Sequence, residues 1–165
     1  MKARHVLLIL MFLFCLPLSA CKSEPKEPPD LRGQWRQILS EDGEEPEYYH
    51  IANITGDYIE IYYYYTADQS TNLYWYGTFT PPEDGKEPYV WVSENNLPKN
   101  ISPRLFRYAS RDANKEFTYK KGKLTYTIAP SQALRMNVTM EPATELYEIR
   151  GDNISPELRD SPGEP

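Results

Sequence analysis

Lys123-Leu124-Thr125-Tyr126-Thr127-Ile128-Ala129 and, a few residues on, Ala133-Leu134-Arg135-Met136-Asn137-Val138-Thr139-Met140 are the stretches that decide the fold. In the first, Leu124, Tyr126 and Ile128 oppose Thr125 and Thr127. In the second, Leu134, Met136, Val138 and Met140 oppose Arg135, Asn137 and Thr139. A period of two in successive segments means one buried face and one wet face, the mark of an antiparallel sheet. Lys121-Gly122 sits between the first run and an aromatic run before it, and reads as a tight hairpin. The same signs extend outward along the chain. Strands are expected near 33–39, 47–54, 57–65, 72–80, 88–94, 104–109, 115–120, 123–129, 133–140 and 144–150, about eight to ten in all. Asn96 to Pro103 reads as a loop that leads into a short helical turn before Phe106.

Composition agrees. The chain holds fourteen tyrosines, three tryptophans and fifteen prolines in 165 residues. Tyrosine, tryptophan and β-branched residues favour a pleated, half-buried surface, and so much proline opposes long helices. Two stretches, Glu41-Asp42-Gly43-Glu44-Glu45-Pro46-Glu47-Tyr48 and Glu83-Asp84-Gly85-Lys86-Glu87-Pro88-Tyr89, nearly repeat. Their flanks do not match, so shared turn chemistry explains them better than duplication. Neither has the alternating acids of a calcium loop.

The N-terminus is built like a secretory signal: Lys2 and Arg4, an apolar stretch from Val6 to Leu16, then Leu18-Ser19-Ala20-Cys21. As a helix, Val6 to Ala20 would span ~22 Å, short of the ~30 Å hydrocarbon core of a bilayer. The end of this segment resembles the lipobox of bacterial lipoproteins. That resemblance implies cleavage before Cys21 and a diacylglyceryl group on its sulfur, so that residues 1–20 are removed. A plain cleaved signal is the competing reading, and would leave Cys21 as a lone thiol. Lys22 is not the aspartate linked in that family with retention at the inner membrane. The expected location is extracytoplasmic, lipid-anchored at the cell membrane or an outer membrane.

Without residues 1–20 the chain has 145 residues, 16 bases and 24 acids, a formal charge of −8. That balance argues against nucleic acid and against the whole body binding an anionic membrane. Cys15 leaves with the signal, so the domain is expected to fold without a disulfide. Residues 21–30 read as the lipidated cysteine and a proline-rich tether, whose Lys22 to Asp30 would reach ~28 Å if extended. Residues 31–150 read as one all-β domain, and 151–165 as a polar disordered tail.

Leu31-Arg32-Gly33-Gln34-Trp35 and Tyr147-Glu148-Ile149-Arg150 stand at the two ends of that domain. With the strand count, they resemble the lipocalin-like barrels. In that superfamily the first strand opens Gly-x-Trp, here Gly33 and Trp35, and the tryptophan plugs one end of the barrel. An arginine near the last strand packs across its ring, here Arg150. The resemblance implies an antiparallel up-and-down barrel; a β-sandwich with Trp35 as an ordinary core residue is the alternative. Thr55-Gly56-Asp57-Tyr58 is similar to the family's Thr-Asp-Tyr element but comes too early and carries an extra glycine.

Tyr62-Tyr63-Tyr64-Tyr65 must split between two faces. Ile59, Ile61, Tyr63 and Tyr65 are expected inside, with Leu73, Trp75 and Phe79. Tyr58, Tyr62, Tyr64, Tyr74 and Tyr76 are then expected outside, as a cross-strand ladder. An exposed aromatic patch of that kind marks a surface for protein or glycan; the plainer account is stiffening of a strand, or cover by the tail or a loop. Charge is uneven too: seven acids lie between Glu41 and Glu60, and seven bases between Arg104 and Lys123. Solvated strand edges and hairpin tips account for that ordinarily.

Catalytic signals are sparse. His50 is the single histidine after residue 20, so a histidine-cluster zinc site is impossible and a Ser-His-Asp triad would rest on it alone. No glycine-rich phosphate loop or nucleophile elbow occurs. The chain is therefore expected to be no enzyme and to need no cofactor. The leading expectation is a lipid-anchored protein holding a small apolar or amphipathic ligand in the barrel mouth, with Tyr63, Tyr65, Trp75 and Trp91 as candidate lining. The rival is an interaction module that holds an envelope protein or glycan on the outer tyrosines.

Overall fold

Alternation becomes strand pairing across most of the described residues. The computed structural model describes residues 27–40, 46–97, 108–131 and 134–149, and every regular element among them is a strand. In chain order these are β1 (Gly33–Gln37), β2 (Tyr48–Thr55), β3 (Tyr58–Tyr65), β4 (Thr71–Thr78), β5 (Tyr89–Glu94), β6 (Asn114–Lys120), β7 (Lys123–Ser131) and β8 (Leu134–Pro142). All pairings are antiparallel, and the order across the sheet is β4-β3-β2-β1-β8-β7-β6-β5. The result is a nearly closed, eight-stranded up-and-down barrel of the lipocalin-like kind. Lys121 and Gly122, with φ of 52° and 76°, make the two-residue β6–β7 turn whose twist matches the strands it joins.

One expected strand, 144–150, does not form, and another, 104–109, lies largely outside the described residues. Tyr108 and Ala109 are outside any strand, and 104–107 lie outside the described residues. Residues 144–149 are irregular. They have no ladder to join, because β1 is already paired on both sides, with β2 and with β8. Arg150, the signal with Cys21, and the 151–165 tail lie outside the described residues.

The seam falls between β4 and β5. Its single bridge pairs Gly77 with Asn95, and side chains do the rest: Trp75 Nε1 donates to Ser93 Oγ at 3.0 Å, and Glu94 N donates to Thr78 Oγ1 at 2.9 Å. The backbones approach so closely that a Cβ on Gly77 would lie 2.6 Å from Trp75 Nε1 and would crowd Ser93 and Glu94.

One end of the barrel is plugged. Trp35 is buried there, its Nε1 donating to Leu31 O at 2.9 Å, with Tyr119 edge-on to its ring. Above it a stack of rings runs through Tyr89, Trp91 and Phe117, with Phe79 edge-on to Trp91. Ile54, Ile59, Ile61, Leu124, Val138 and Met140 fill the space between.

A β-bulge corrects the expected faces of β4. Ile61 pairs with Trp75, but Tyr62 pairs with Leu73, so Tyr74 is the extra residue. A one-residue slip reverses every side chain beyond it. Tyr74 therefore joins Trp75 in the interior, and Leu73, expected inside, packs on the outside with Tyr49, Ile51 and Tyr62.

That outer cluster is roofed by the chain after β8. Gln34 Nε2 donates to Tyr147 O at 3.0 Å, and Tyr147 N donates to Gln34 Oε1 at 2.7 Å. The Tyr147 ring lies edge-on to Tyr49 and Tyr64. Residues 143–149 form a strap across β1 to β3, and Tyr62 is buried in the cluster that this strap roofs.

Candidate functional site

The open end of the barrel carries the chemistry. Tyr48 and His50 arrive on the inward face of β2, Tyr63 and Tyr65 on β3, Tyr74 by the bulge in β4, Lys115 on β6, and Tyr126 and Ile128 on β7. Tyr74 apart, each has the parity of a core residue further down its strand, so the alternation that builds the plug also aims these groups at the mouth. β1 ends at Gln37, opposite Met140, and the upper half of β8 continues without it. The inward-facing Leu134 and Met136 are consequently half exposed, as are Tyr48 and Tyr108. Together they give the mouth an apolar rim.

Beneath the rim is a pocket of about 270 Å³, with Tyr63, Tyr74, Tyr108 and Ile128 as its walls and Ser110, Arg111 and Asp112 along one side. Tyr63 meets Tyr74 at 5.4 Å and Tyr108 at 6.4 Å between ring centroids, both edge-on. A second recess, a polar slot of about 740 Å³, opens beside it. β6 and β7 stop pairing above Phe117 and Tyr126, and Asn114, Glu116, Thr127, Arg135 and Asn137 line the space between. Asp112 and Ala129 border both spaces.

Under the pocket lie two buried polar groups. His50 is hydrogen-bonded through Nδ1 to the Tyr126 hydroxyl, and its ring is edge-on to Tyr63 at 4.7 Å. Burial, and then the nearby charge of Lys115, lower its pKa from the usual 6.5 to about 4, so the imidazole is neutral at neutral pH. Burial also raises the Tyr126 and Tyr63 hydroxyls, Tyr126 well above its ordinary range, and adjacent phenols push the same way. Both therefore offer neutral hydroxyls to the interior.

Lys115 is the buried cation. Its Nζ lies 3.2 Å from Asp112 Oδ2, donates to Thr127 O at 3.3 Å, and sits 5.2 Å and 5.1 Å from the ring centres of Tyr74 and Trp75. The Thr127 carbonyl is available because the β6–β7 ladder has ended below it. Burial opposes the charge on Asp112, but hydrogen bonds from Ser110 and Lys115 outweigh it and hold the carboxyl below its usual range.

Of the four expected lining residues, Tyr63 and Tyr65 stand half-buried at the open end, with Tyr63 in the pocket wall. Trp75 and Trp91 do not line it. They belong to the packed core, Trp75 tied to Ser93 at the seam and Trp91 stacked between Tyr89 and Phe117. Of the five expected outer tyrosines, Tyr74 is inside and Tyr62 is buried in the roofed outer cluster, while Tyr58, Tyr64 and Tyr76 are half-buried. Tyr58 stacks on Tyr76, and Tyr64 packs against Tyr147. Gly33 opens β1 with a φ of 113°, and Trp35 sits in the end plug. Lys115, Asp112 and Tyr108 were not among the expected site residues. Lys115 did carry a signal, since it shares alternation with Phe117 and Tyr119 and so had to point inward.

The arrangement is suited to holding a small molecule: aromatic walls, an apolar rim, neutral hydroxyls, Arg111 in the lining and the buried Lys115 on the side of the slot. No group of three or more metal-ligating side chains occurs among the described residues. No family model, no curated protein and no solved structure matches this chain.

Proposed function

We propose that this is a lipid-anchored, extracytoplasmic binding protein that holds a small amphipathic ligand in the mouth of its barrel, and that it is not an enzyme. The tyrosine-walled pocket of about 270 Å³ beneath an apolar rim carries this reading. Ligand sites combine apolar and aromatic walls with a few placed polar groups, and this one pairs Tyr63, Tyr74 and Tyr108 with Ser110, Arg111 and Asp112. The size favours a compact body of one or two rings over a long chain. The rival reading needed an exposed tyrosine ladder, and two of its five members are buried. The anchor rests on the Leu18-Ser19-Ala20-Cys21 sequence and the proline-rich stretch after it.

Native mass spectrometry of the mature protein purified from its own host tests the proposal. A small molecule should be retained by the wild type and lost when Tyr63 and Tyr108 are both changed to alanine. Retention of another protein, with no small molecule, would favour the interaction module instead.

A further inference from the structure

Lys115 and Asp112 form an unequal pair. The lysine side chain is 4% exposed and fixed in the barrel wall by the Thr127 carbonyl and the rings of Tyr74 and Trp75. The aspartate side chain is 55% exposed and comes from the loop that leads into β6. It is held besides by Ser110 Oγ at 2.8 Å, with the charge of Arg135 nearby. A buried cation needs a counter-ion, because removing its partner leaves an uncompensated charge in a poorly solvated place. Here the counter-ion is a wet carboxylate at the boundary between the mouth pocket and the slot. Arg111, on the same loop, adds a second positive group to the pocket lining. The whole protein is acidic, so anions are not drawn in by its net charge; any preference for them must come from these local positive groups.

We propose that the ligand is an acidic amphiphile, a compact apolar or aromatic body ending in a carboxylate-like or sulfonate-like anion, and that its anion replaces the Asp112 carboxylate on Lys115. This rests on the ligand-binding reading above and names the ligand class for the same mouth. Asp112 is then a placeholder: it satisfies Lys115 in the empty barrel and competes with the ligand for it. The tyrosine walls take the apolar body, and the slot beside Asp112 leaves room for the displaced carboxylate to turn toward water.

The prediction is a split between two probes with one skeleton. 8-Anilinonaphthalene-1-sulfonate carries the anion and N-phenyl-1-naphthylamine lacks it; both report binding by fluorescence. Asp112→Asn should tighten the sulfonate by several-fold and leave the neutral probe unchanged. Lys115→Met should weaken the sulfonate about tenfold, the scale of one charge-assisted hydrogen bond, again sparing the neutral probe. If Lys115→Met does not fold, the Asp112→Asn variant makes the distinction alone, through a tighter sulfonate and an unchanged neutral probe. Equal responses of both probes to Asp112→Asn would overturn the exchange. If Tyr108→Ala still weakens both, the pocket stands and the ligand-binding reading survives. Failure of the sulfonate to bind either the wild type or Asp112→Asn would also overturn the proposal.

Discussion

His50 is where this protein should first feel acid. Its folded pKa of about 4 lies below the ordinary 6.5, so between those values an unfolded chain binds a proton that the folded chain refuses. Stability therefore falls as pH falls through that window, by about 3 kcal/mol in full and by about 2 kcal/mol between pH 7 and pH 5. Asp112 acts lower: its depressed pKa lends stability that is lost only as the pH falls below the ordinary carboxylate value. Urea unfolding at pH 7 and pH 5 should show the loss in the wild type and little of it in His50→Asn; an equal loss in both would put the sensitivity elsewhere. The inward position of His50 was not legible, because Tyr49 and Ile51 on one face of β2 are as apolar as Ala52 and Ile54 on the other. Nor was its partner, because the sequence does not say that β2 and β7 face each other across the barrel and bring Tyr126 within reach.

Among the elements, the strap and the bulge depart furthest from what alternation alone predicts. Tyr147-Glu148-Ile149 has the composition of a strand, and in an open sheet it would have been one. In this barrel β1 is already paired on both sides, so the segment lies flat on the outside and is held by Gln34 through both the N–H and the carbonyl of Tyr147. Gln34→Ala should cost about 2 kcal/mol, two hydrogen bonds at about 1 kcal/mol each. It should also speed amide exchange at Tyr147 while leaving the β6–β8 ladders protected; unchanged exchange at Tyr147 would mean that the rings alone hold the strap. The bulge was hidden for a different reason. Tyr62 to Tyr65 and Tyr74 to Tyr76 present aromatic residues to both faces, so composition could not fix the register, whereas β7 and β8, with threonine, arginine and asparagine opposing apolar residues, allowed only one. This is why the fold was readable from its C-terminal half and the site, built partly on the bulge, was not.

For the whole molecule, what matters is that the barrel has two unlike ends. The chain enters beside Leu31 at the plugged end, and the pocket opens at the other. If Cys21 is the proposed anchor, Cys21→Ser should move the protein from the membrane fraction to the soluble extracytoplasmic fraction without changing its unfolding midpoint, since the domain uses no thiol. Protein that stayed with the membrane would count against lipidation at Cys21. The plug also sets a direction of traffic. A tether of ~28 Å and a barrel whose strands β2 to β4, of eight residues each, are ~26 Å long would hold the mouth up to ~50 Å above the lipid headgroups. On that proposal, a molecule entering the mouth would cross water or be handed over by another protein, and an ionised group would make a small apolar body soluble enough for that crossing.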